Sequence, residues 1–141
     1  KKGSEVITPC LNFGTAVSSI MLSNLVPILV DCKIDSLQID EDRIEKKITK
    51  KTKAILAPNL IGNIPNWKKI REIANKHNLK VIEDSADTLG AKINNKSTGI
   101  YSDISITSFY GSHVISCAGN GGIFLTNNQL QLYKLLFYFS T

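Results

Sequence analysis

The sequence of 141 residues lacks paired cysteines and long apolar runs. Its three cysteines, Cys10, Cys32 and Cys117, form no CxxC pair, so neither a zinc site nor a disulfide framework is indicated. So few thiols are typical of buried cysteines in a reducing cytoplasm. No apolar run approaches about 18 residues, so no membrane-spanning helix is predicted. We therefore expect a cytoplasmic protein with no metal centre and no membrane partner.

The chain has an excess of positive charge that is spread over several segments. The net charge is +5 and the pI is about 9.1, but lysine and arginine are scattered over helical segments. This pattern favours solvated surface charge over a nucleic-acid interface. Hydrophobic residues make up 43% and charged residues 21%, which is the composition of a globular domain. The chain opens on Lys1-Lys2-Gly3 and holds its single methionine at Met21, so we interpret it as an internal piece of a longer protein.

Short apolar runs alternate with segments of helical periodicity. Thr15 and Asn66 are suitable helix caps, and Pro27 suggests that the second strand begins at Ile28. Strands alternating with helices predict an α/β domain built on a mostly parallel sheet. The predicted strands are Glu5–Thr8, Ile28–Asp31, Lys53–Pro58, Leu79–Asp84, Ile104–Phe109 and Gly122–Thr126, and the predicted helices are Thr15–Leu22, Asp40–Ile48, Asn66–His77 and Leu130–Phe137.

Polar side chains follow several of these strands at the point where each strand ends. They are Thr8, Asn59, Asp84, and Ser108 with His113. Ligands of open α/β sheets bind beyond the carboxyl ends of the strands. The topology alone therefore predicts a ligand site at this edge, without naming the ligand.

The same segments resemble the DegT/DnrJ/StrS sugar aminotransferases and their sugar 3-dehydratase relatives. The resemblance implies the fold-type-I pyridoxal-phosphate architecture, a three-layer α/β domain. Residues 1–141 would be part of its cofactor-binding large domain, with an N-terminal segment and a small C-terminal domain absent. The matching stretches are Glu5-Val6-Ile7-Thr8-Pro9, Val26-Pro27-Ile28-Leu29-Val30-Asp31, Lys51-Thr52-Lys53-Ala54-Ile55, Val81-Ile82-Glu83-Asp84, Ser108-Phe109 and Gly121-Gly122.

The resemblance implies a cofactor, pyridoxal 5'-phosphate or pyridoxamine 5'-phosphate. Asp84 would pair with the pyridine nitrogen and keep it protonated, so that the ring can accept electrons. Thr15 and Ala16, at a helix N-terminus, would bind the phosphate together with the hydroxyl of Ser108. The alternative for Asp84 and Thr15 is a plain capping role.

Two positions depart from the aminotransferase pattern. Asp87 stands where those enzymes usually have glutamine, and an acid there is similar to the dehydratase branch; its alternative is a solvated or capping carboxylate. His113 lies five residues after Ser108, where the family has the lysine that binds the cofactor covalently. Between Ile82 and Tyr133 only Lys92 and Lys96 could supply an amine, and both lie in a polar turn.

Imidazole cannot form the stable covalent bond that lysine forms with the cofactor aldehyde, so the resemblance implies non-covalent binding. His113 would then act as a catalytic acid and base near neutral pH, as histidine does in the dehydratases. Its alternative is a loop histidine in a degenerate copy. Asn120 also replaces the acid of the Gly-Glu-Gly-Gly turn that follows the lysine in the family.

The resulting hypothesis is a 3-dehydratase that acts on a nucleotide-linked 4-keto-6-deoxyhexose for surface polysaccharide. The resemblance implies a homodimer, and a reductase partner if the protein is of the iron–sulfur type rather than the glutamate-dependent type. An aminotransferase of the same family and a non-catalytic cofactor-binding homologue are the alternatives. We expect the 141 residues alone to be inactive.

Overall fold

The computed structural model describes residues 1–113, 115–130 and 132–133. The elements are β1 Glu5–Pro9, α1 Gly14–Leu22, β2 Val26–Val30, α2 Glu41–Ile44, β3 Thr52–Pro58, α3 Trp67–Lys76, β4 Lys80–Asp84, β5 Lys92–Ile93, β6 Lys96–Ser97, β7 Ile104–Ser108 and β8 Gly122–Leu125. In these parts of the chain six strands form one sheet in the order β2-β1-β3-β4-β7-β8, and a small hairpin of β5 and β6 lies outside it.

The sheet is mostly parallel, as the sequence predicts. Strands β2, β1, β3, β4 and β7 run in one direction, and only β8 pairs antiparallel, with β7. The parallel strands consequently all end at the same edge. The predicted bounds agree with the observed strands to within two residues.

The core forms two layers because successive side chains of a strand point to opposite faces. On one face Ile7, Ile55 and Val81 pack in a cluster with Trp67 and Ile70 of α3. On the other face Val6, Ala54 and Leu56 pack with Ile20 of α1. Helices on both faces of a parallel sheet confirm the predicted three-layer α/β class.

Asn66 caps α3 as predicted, because its side-chain oxygen accepts a hydrogen bond from the Lys69 N–H at 3.1 Å. Asp40 similarly caps α2, and a 3₁₀ turn at Glu45–Lys47 continues the predicted helix. Most of the predicted last helix, Leu130–Phe137, lies outside the described residues. None of the helices described is long and apolar enough to cross a membrane.

Three details of the prediction are wrong. Thr15 does not cap α1: the helix begins at Gly14, and Phe13 occupies the capping position without a side-chain hydrogen bond. Strand β2 begins at Val26 rather than Ile28, because β2 is an edge strand in which the missing N–H of Pro27 is tolerated. Cys10 and Cys117 are exposed rather than buried, since both lie on loops beyond strand ends.

Candidate functional site

A cleft of about 750 Å³ opens at the carboxyl edge of the sheet, between α1 and the loops that follow β1, β3, β4 and β7. This volume suits a ligand of cofactor size. All six residues predicted from the sequence lie on its wall: Thr15, Ala16, Asp84, Asp87, Ser108 and His113.

A smaller hollow of about 430 Å³ near α2 lies away from this cleft. Each of its three acids already has a basic partner: Arg43 bonds Asp31 at 2.8 Å and Asp40 at 2.9 Å, and Asp42 pairs with Lys69. None of the sequence-predicted site residues lines this hollow. The carboxyl-edge cleft is therefore the candidate site.

Asp84 ends β4 and lies on the cleft wall. Burial raises the pKa of its carboxyl above the ordinary value; the Ala86 N–H and the His113 imidazole oppose the rise, whereas the Asp87 charge adds to it. The Asp84 Oδ1 atom accepts a hydrogen bond from the Ala86 N–H at 3.0 Å. No hydrogen bond within the described residues reaches Oδ2, so the acid keeps capacity for a ligand.

Asp87 and His113 form a pair at the mouth of the cleft. The Nδ1 atom of His113 lies 3.5 Å from Oδ1 of Asp87, and the His113 side chain is 17% exposed. The other oxygen of Asp87, Oδ2, accepts the Ile61 N–H at 3.1 Å. An acid held in this way can orient the imidazole. The Tyr110 ring meets that of His113 edge-on, with centroids 6.2 Å apart.

The opposite end of the cleft begins at the first turn of α1. The Ala16 N–H already donates to the Phe13 carbonyl at 3.0 Å. Across the described ranges no backbone acceptor is found for the N–H groups of Gly14 and Thr15, so these two remain available to an anion. Ser108 Oγ accepts the Tyr110 N–H at 3.2 Å, which leaves its own proton free to donate.

No lysine lines the cleft in the part of the chain that the structure describes. Lys92 and Lys96 lie on the exposed β5–β6 hairpin, as expected for a polar turn. His113, rather than a lysine, lies on this wall.

The sequence did not single out several residues of the wall. Phe13 is 63% exposed and lies on the wall beside Asn12, whose side chain donates to Thr8 Oγ1 at 3.0 Å. The sequence predicts that Asn59 follows the end of a strand, but it does not predict that the side chain is fully buried. Polar residues directly after a strand were the available signal, and it cannot separate cleft groups from buried ones.

Comparison with known proteins accounts for this arrangement. The family model described as the DegT/DnrJ/EryC1/StrS aminotransferase family matches residues 1–139. The chain belongs to this family. The resemblance inferred from the sequence is therefore confirmed.

Relatives within the DegT/DnrJ/EryC1/StrS family carry out different reactions. GDP-perosamine synthase of Escherichia coli O157:H7 is 39% identical over 138 residues, which are 98% of this chain and 37% of that protein. The solved E. coli GDP-4-keto-6-deoxy-D-mannose-3-dehydratase with bound hydrated PLP has a TM-score of 0.88 at 32% identity, covering 96% of this chain and 35% of that chain. The chain spans about a third of the length of such relatives.

The cofactor expected from the resemblance is confirmed for the family. NtdA of Bacillus subtilis, solved with bound PMP, has a TM-score of 0.85 at 37% identity, covering 91% of this chain and 28% of that chain. The cleft fits such a group: an acid with unused capacity stands on one wall, and free N–H groups with a hydroxyl stand at the α1 end. Asp84 would hold the ring nitrogen, and Thr15 and Ser108 would hold the phosphate.

Proposed function

We propose that the intact protein is a pyridoxamine-phosphate-dependent 3-dehydratase of a nucleotide-linked 4-keto-6-deoxyhexose. The observation that carries the proposal is His113 on the cleft wall, in contact with Asp87 and with no lysine beside it among the described residues. The similar 3-dehydratase structure supports the same reaction class. When bound, the cofactor supplies an amine for the sugar ketone and a ring that stores electrons.

The residues of the chain would divide the work by position. Asp84 would keep the ring nitrogen protonated, and Thr15, Ala16 and Ser108 would hold the phosphate. Of Thr15 and Ala16, Thr15 offers its N–H, because that of Ala16 already donates to the Phe13 carbonyl. His113 would accept a proton and deliver it to the departing C3 oxygen, which leaves as water. Asp87 would hold the imidazole in position.

The chain would supply part of the cofactor-binding large domain. An N-terminal segment, a small C-terminal domain and a second copy of the protein would complete the catalytic unit in the cytoplasm. Replacing the C3 hydroxyl by hydrogen consumes two electrons. Either glutamate or an iron–sulfur reductase system would provide them, and adding each separately to the assay distinguishes the two sources.

The test is turnover of 4-keto-6-deoxyhexoses linked to GDP, dTDP or CDP, with PMP, followed by mass spectrometry. Loss of the C3 oxygen is the expected result. Transfer of an amino group instead would establish the aminotransferase alternative, which the 39% identity to GDP-perosamine synthase favours. Cofactor binding without any turnover would support the non-catalytic alternative and overturn the proposal.

Borohydride trapping tests the role of His113 separately. Borohydride should not fix PLP permanently to the wild-type chain, whereas His113→Lys restores an amine at the cleft wall and should become labelled. His77→Lys is the matched control, because His77 lies at the end of α3, where it contacts Glu45 at 2.8 Å. A stable adduct on the wild-type cleft would contradict non-covalent binding.

A further inference from the structure

A buried polar network lies directly beneath the cleft, centred on Asn59. Its side chain is fully buried, and its Oδ1 atom accepts the Trp67 indole N–H at 2.8 Å. Since the indole nitrogen can only donate, the amide has one orientation, and its NH₂ group must face Glu83 and Ser85. The distances from Nδ2 are 2.8 Å to Glu83 Oε1 and 3.2 Å to Ser85 Oγ.

Glu83 is a fully buried acid in this network. Its Oε1 atom accepts from Asn59 and from Ser85 Oγ at 3.0 Å, and Oε2 accepts from Ser105 Oγ at 3.1 Å. Within the described residues no cation pairs with it. A buried carboxyl without a counter-ion depends on its hydrogen bonds, so these three neutral donors fix its place.

The backbone of Asn59 holds the adjoining turn at both ends. Its N–H donates to the Asp84 carbonyl at 2.8 Å, and its carbonyl accepts from Thr88 Oγ1 at 2.9 Å. Between these two points lies Asp87. The buried side chain of Asn59 therefore anchors the turn that carries the cleft acid.

Asn59 is also close in sequence to Ile61, whose backbone binds Asp87 directly. Two positions on, Ile61 adopts φ 51° and ψ 32°, a left-handed conformation that is strained for a β-branched residue. In this conformation its N–H donates to Asp87 Oδ2. The strain is tolerated because Asn59, two residues earlier, is fixed in the network, and strain held in this way is typical of functional sites.

We infer that Asn59 is a positioning residue for the Asp87–His113 pair. Its amide fixes Glu83 and Ser85 on one side, and its backbone fixes the turn around Asp87 on the other. Asp87, whose Oδ1 lies 3.5 Å from Nδ1 of His113, would then accept a hydrogen bond from the Nδ1–H group and leave Nε2 as the nitrogen without a proton. The consequence for catalysis rests on the proposed dehydratase function, whereas the consequence for the histidine tautomer does not.

The test reverses the direction of the central hydrogen bond. Asn59→Asp places a second carboxyl against Glu83 and should break the contact. The double variant Asn59→Asp/Glu83→Gln exchanges donor and acceptor: the new amide donates to the new acid, and the network again contains a single carboxyl. Glu83→Gln alone is the matched control, because its amide oxygen can still accept from Asn59.

The readout is the ¹⁵N chemical shift of His113 in the intact protein, assigned by comparison with His113→Asn. The wild type should carry its proton on Nδ1, Asn59→Asp should lose this preference, and the double variant should recover it. In turnover, kcat per folded protein should fall about tenfold or more in Asn59→Asp, with KM within about twofold, and should recover in the double variant. A merely structural role would not move the tautomer.

An unchanged tautomer in folded Asn59→Asp, or a folded double variant without recovery, would overturn the inference. Should Asn59→Asp fail to fold, Trp67→Phe removes the donor that orients the amide, together with part of the buried ring. A tautomer unchanged in that folded variant would overturn the inference equally. If the tautomer responds as expected but the wild type dehydrates no sugar, the inference stands and the proposed function falls.

Discussion

Two aspartates at opposite ends of β4 show how the same side chain serves different purposes. Asp103 contacts the amino end of the strand: its carboxylate accepts hydrogen bonds from Arg71 at 2.9 Å, Lys80 at 3.0 Å and the Val81 N–H at 2.9 Å. Asp84, at the carboxyl end, accepts one bond from its own turn and lies near two further acids. The carboxylate of Asp103 is satisfied by the fold, whereas Oδ2 of Asp84 has no hydrogen bond among the described residues.

Unused hydrogen-bonding capacity, rather than charge, distinguishes the carboxyl on the cleft wall from the structural one. Burial acts on both carboxyls, but the bonds to Val81, Arg71 and Lys80 outweigh it and lower the pKa of Asp103. Burial prevails at Asp84 and raises its pKa. A carboxyl whose ionised form is disfavoured by burial in the fold is a candidate functional group.

The largest expected effect is the loss of turnover in Asp84→Asn. The amide can still accept the Ala86 N–H, but it cannot hold a ring nitrogen in its protonated state. We expect kcat of the intact protein to fall about 10²–10³-fold, with the urea midpoint unchanged or slightly higher. Steady-state kinetics and urea unfolding measure the two quantities. Turnover close to that of the wild type would remove Asp84 from the site.

The converse effect is expected for Asp103→Asn, which is the matched control for Asp84→Asn. The amide loses the charge that pairs with Arg71 and Lys80, and the free energy of unfolding should fall by about 1–3 kcal/mol. Once corrected for folded protein, kcat should not change, because Asp103 does not line the cleft. An Asp103→Asn variant with normal stability and low turnover would show that Asp103 serves turnover rather than the stability of the fold.

The sequence predicts this distinction only in part. Strand periodicity predicts that Asp84 lies at the carboxyl end of a strand, and the family resemblance implies its role. The position of Asp84 on the cleft wall is therefore predictable from the sequence. The sequence does not indicate a structural role for Asp103, which precedes β7, because its partners Arg71 and Lys80 come from distant segments. Asn59 likewise reads as a strand-end residue, since the burial that distinguishes it depends on α3 packing over it.

The same limit explains the errors in local structure. A threonine before an apolar helix predicts a cap, but α1 begins at Gly14, and the capping position falls on Phe13, two residues before Thr15. A proline predicts a later start of a strand only if the strand is hydrogen-bonded to neighbours on both sides. Which strands are neighbours in the sheet cannot be predicted from the sequence of one strand. Long-range neighbours, rather than propensities, decide such positions.

A smaller effect is expected for Arg71→Lys, which weakens the structural aspartate without removing it. Arg71 donates to the Tyr101 carbonyl at 2.6 Å as well as to Asp103. A lysine ammonium keeps the charge but lacks the planar fork for both contacts. We expect a loss of about 1 kcal/mol in the free energy of unfolding, with kcat unaffected. A loss equal to that of Asp103→Asn would show that charge alone cannot hold Asp103.

The smallest effect is expected in the pH dependence of stability, where the two aspartates should act on opposite sides of their ordinary pKa of 3.8. The lowered pKa of Asp103 stabilises the fold above 3.8, and this contribution is lost as the pH falls below that value. The raised pKa of Asp84 imposes a penalty that accumulates as the pH rises above 3.8. Relative to the wild type, the stability gain of Asp84→Asn should therefore shrink between neutral pH and 3.8, whereas the deficit of Asp103→Asn should shrink only at lower pH. Urea unfolding measured across this range would contradict the assignment if both differences changed within the same window.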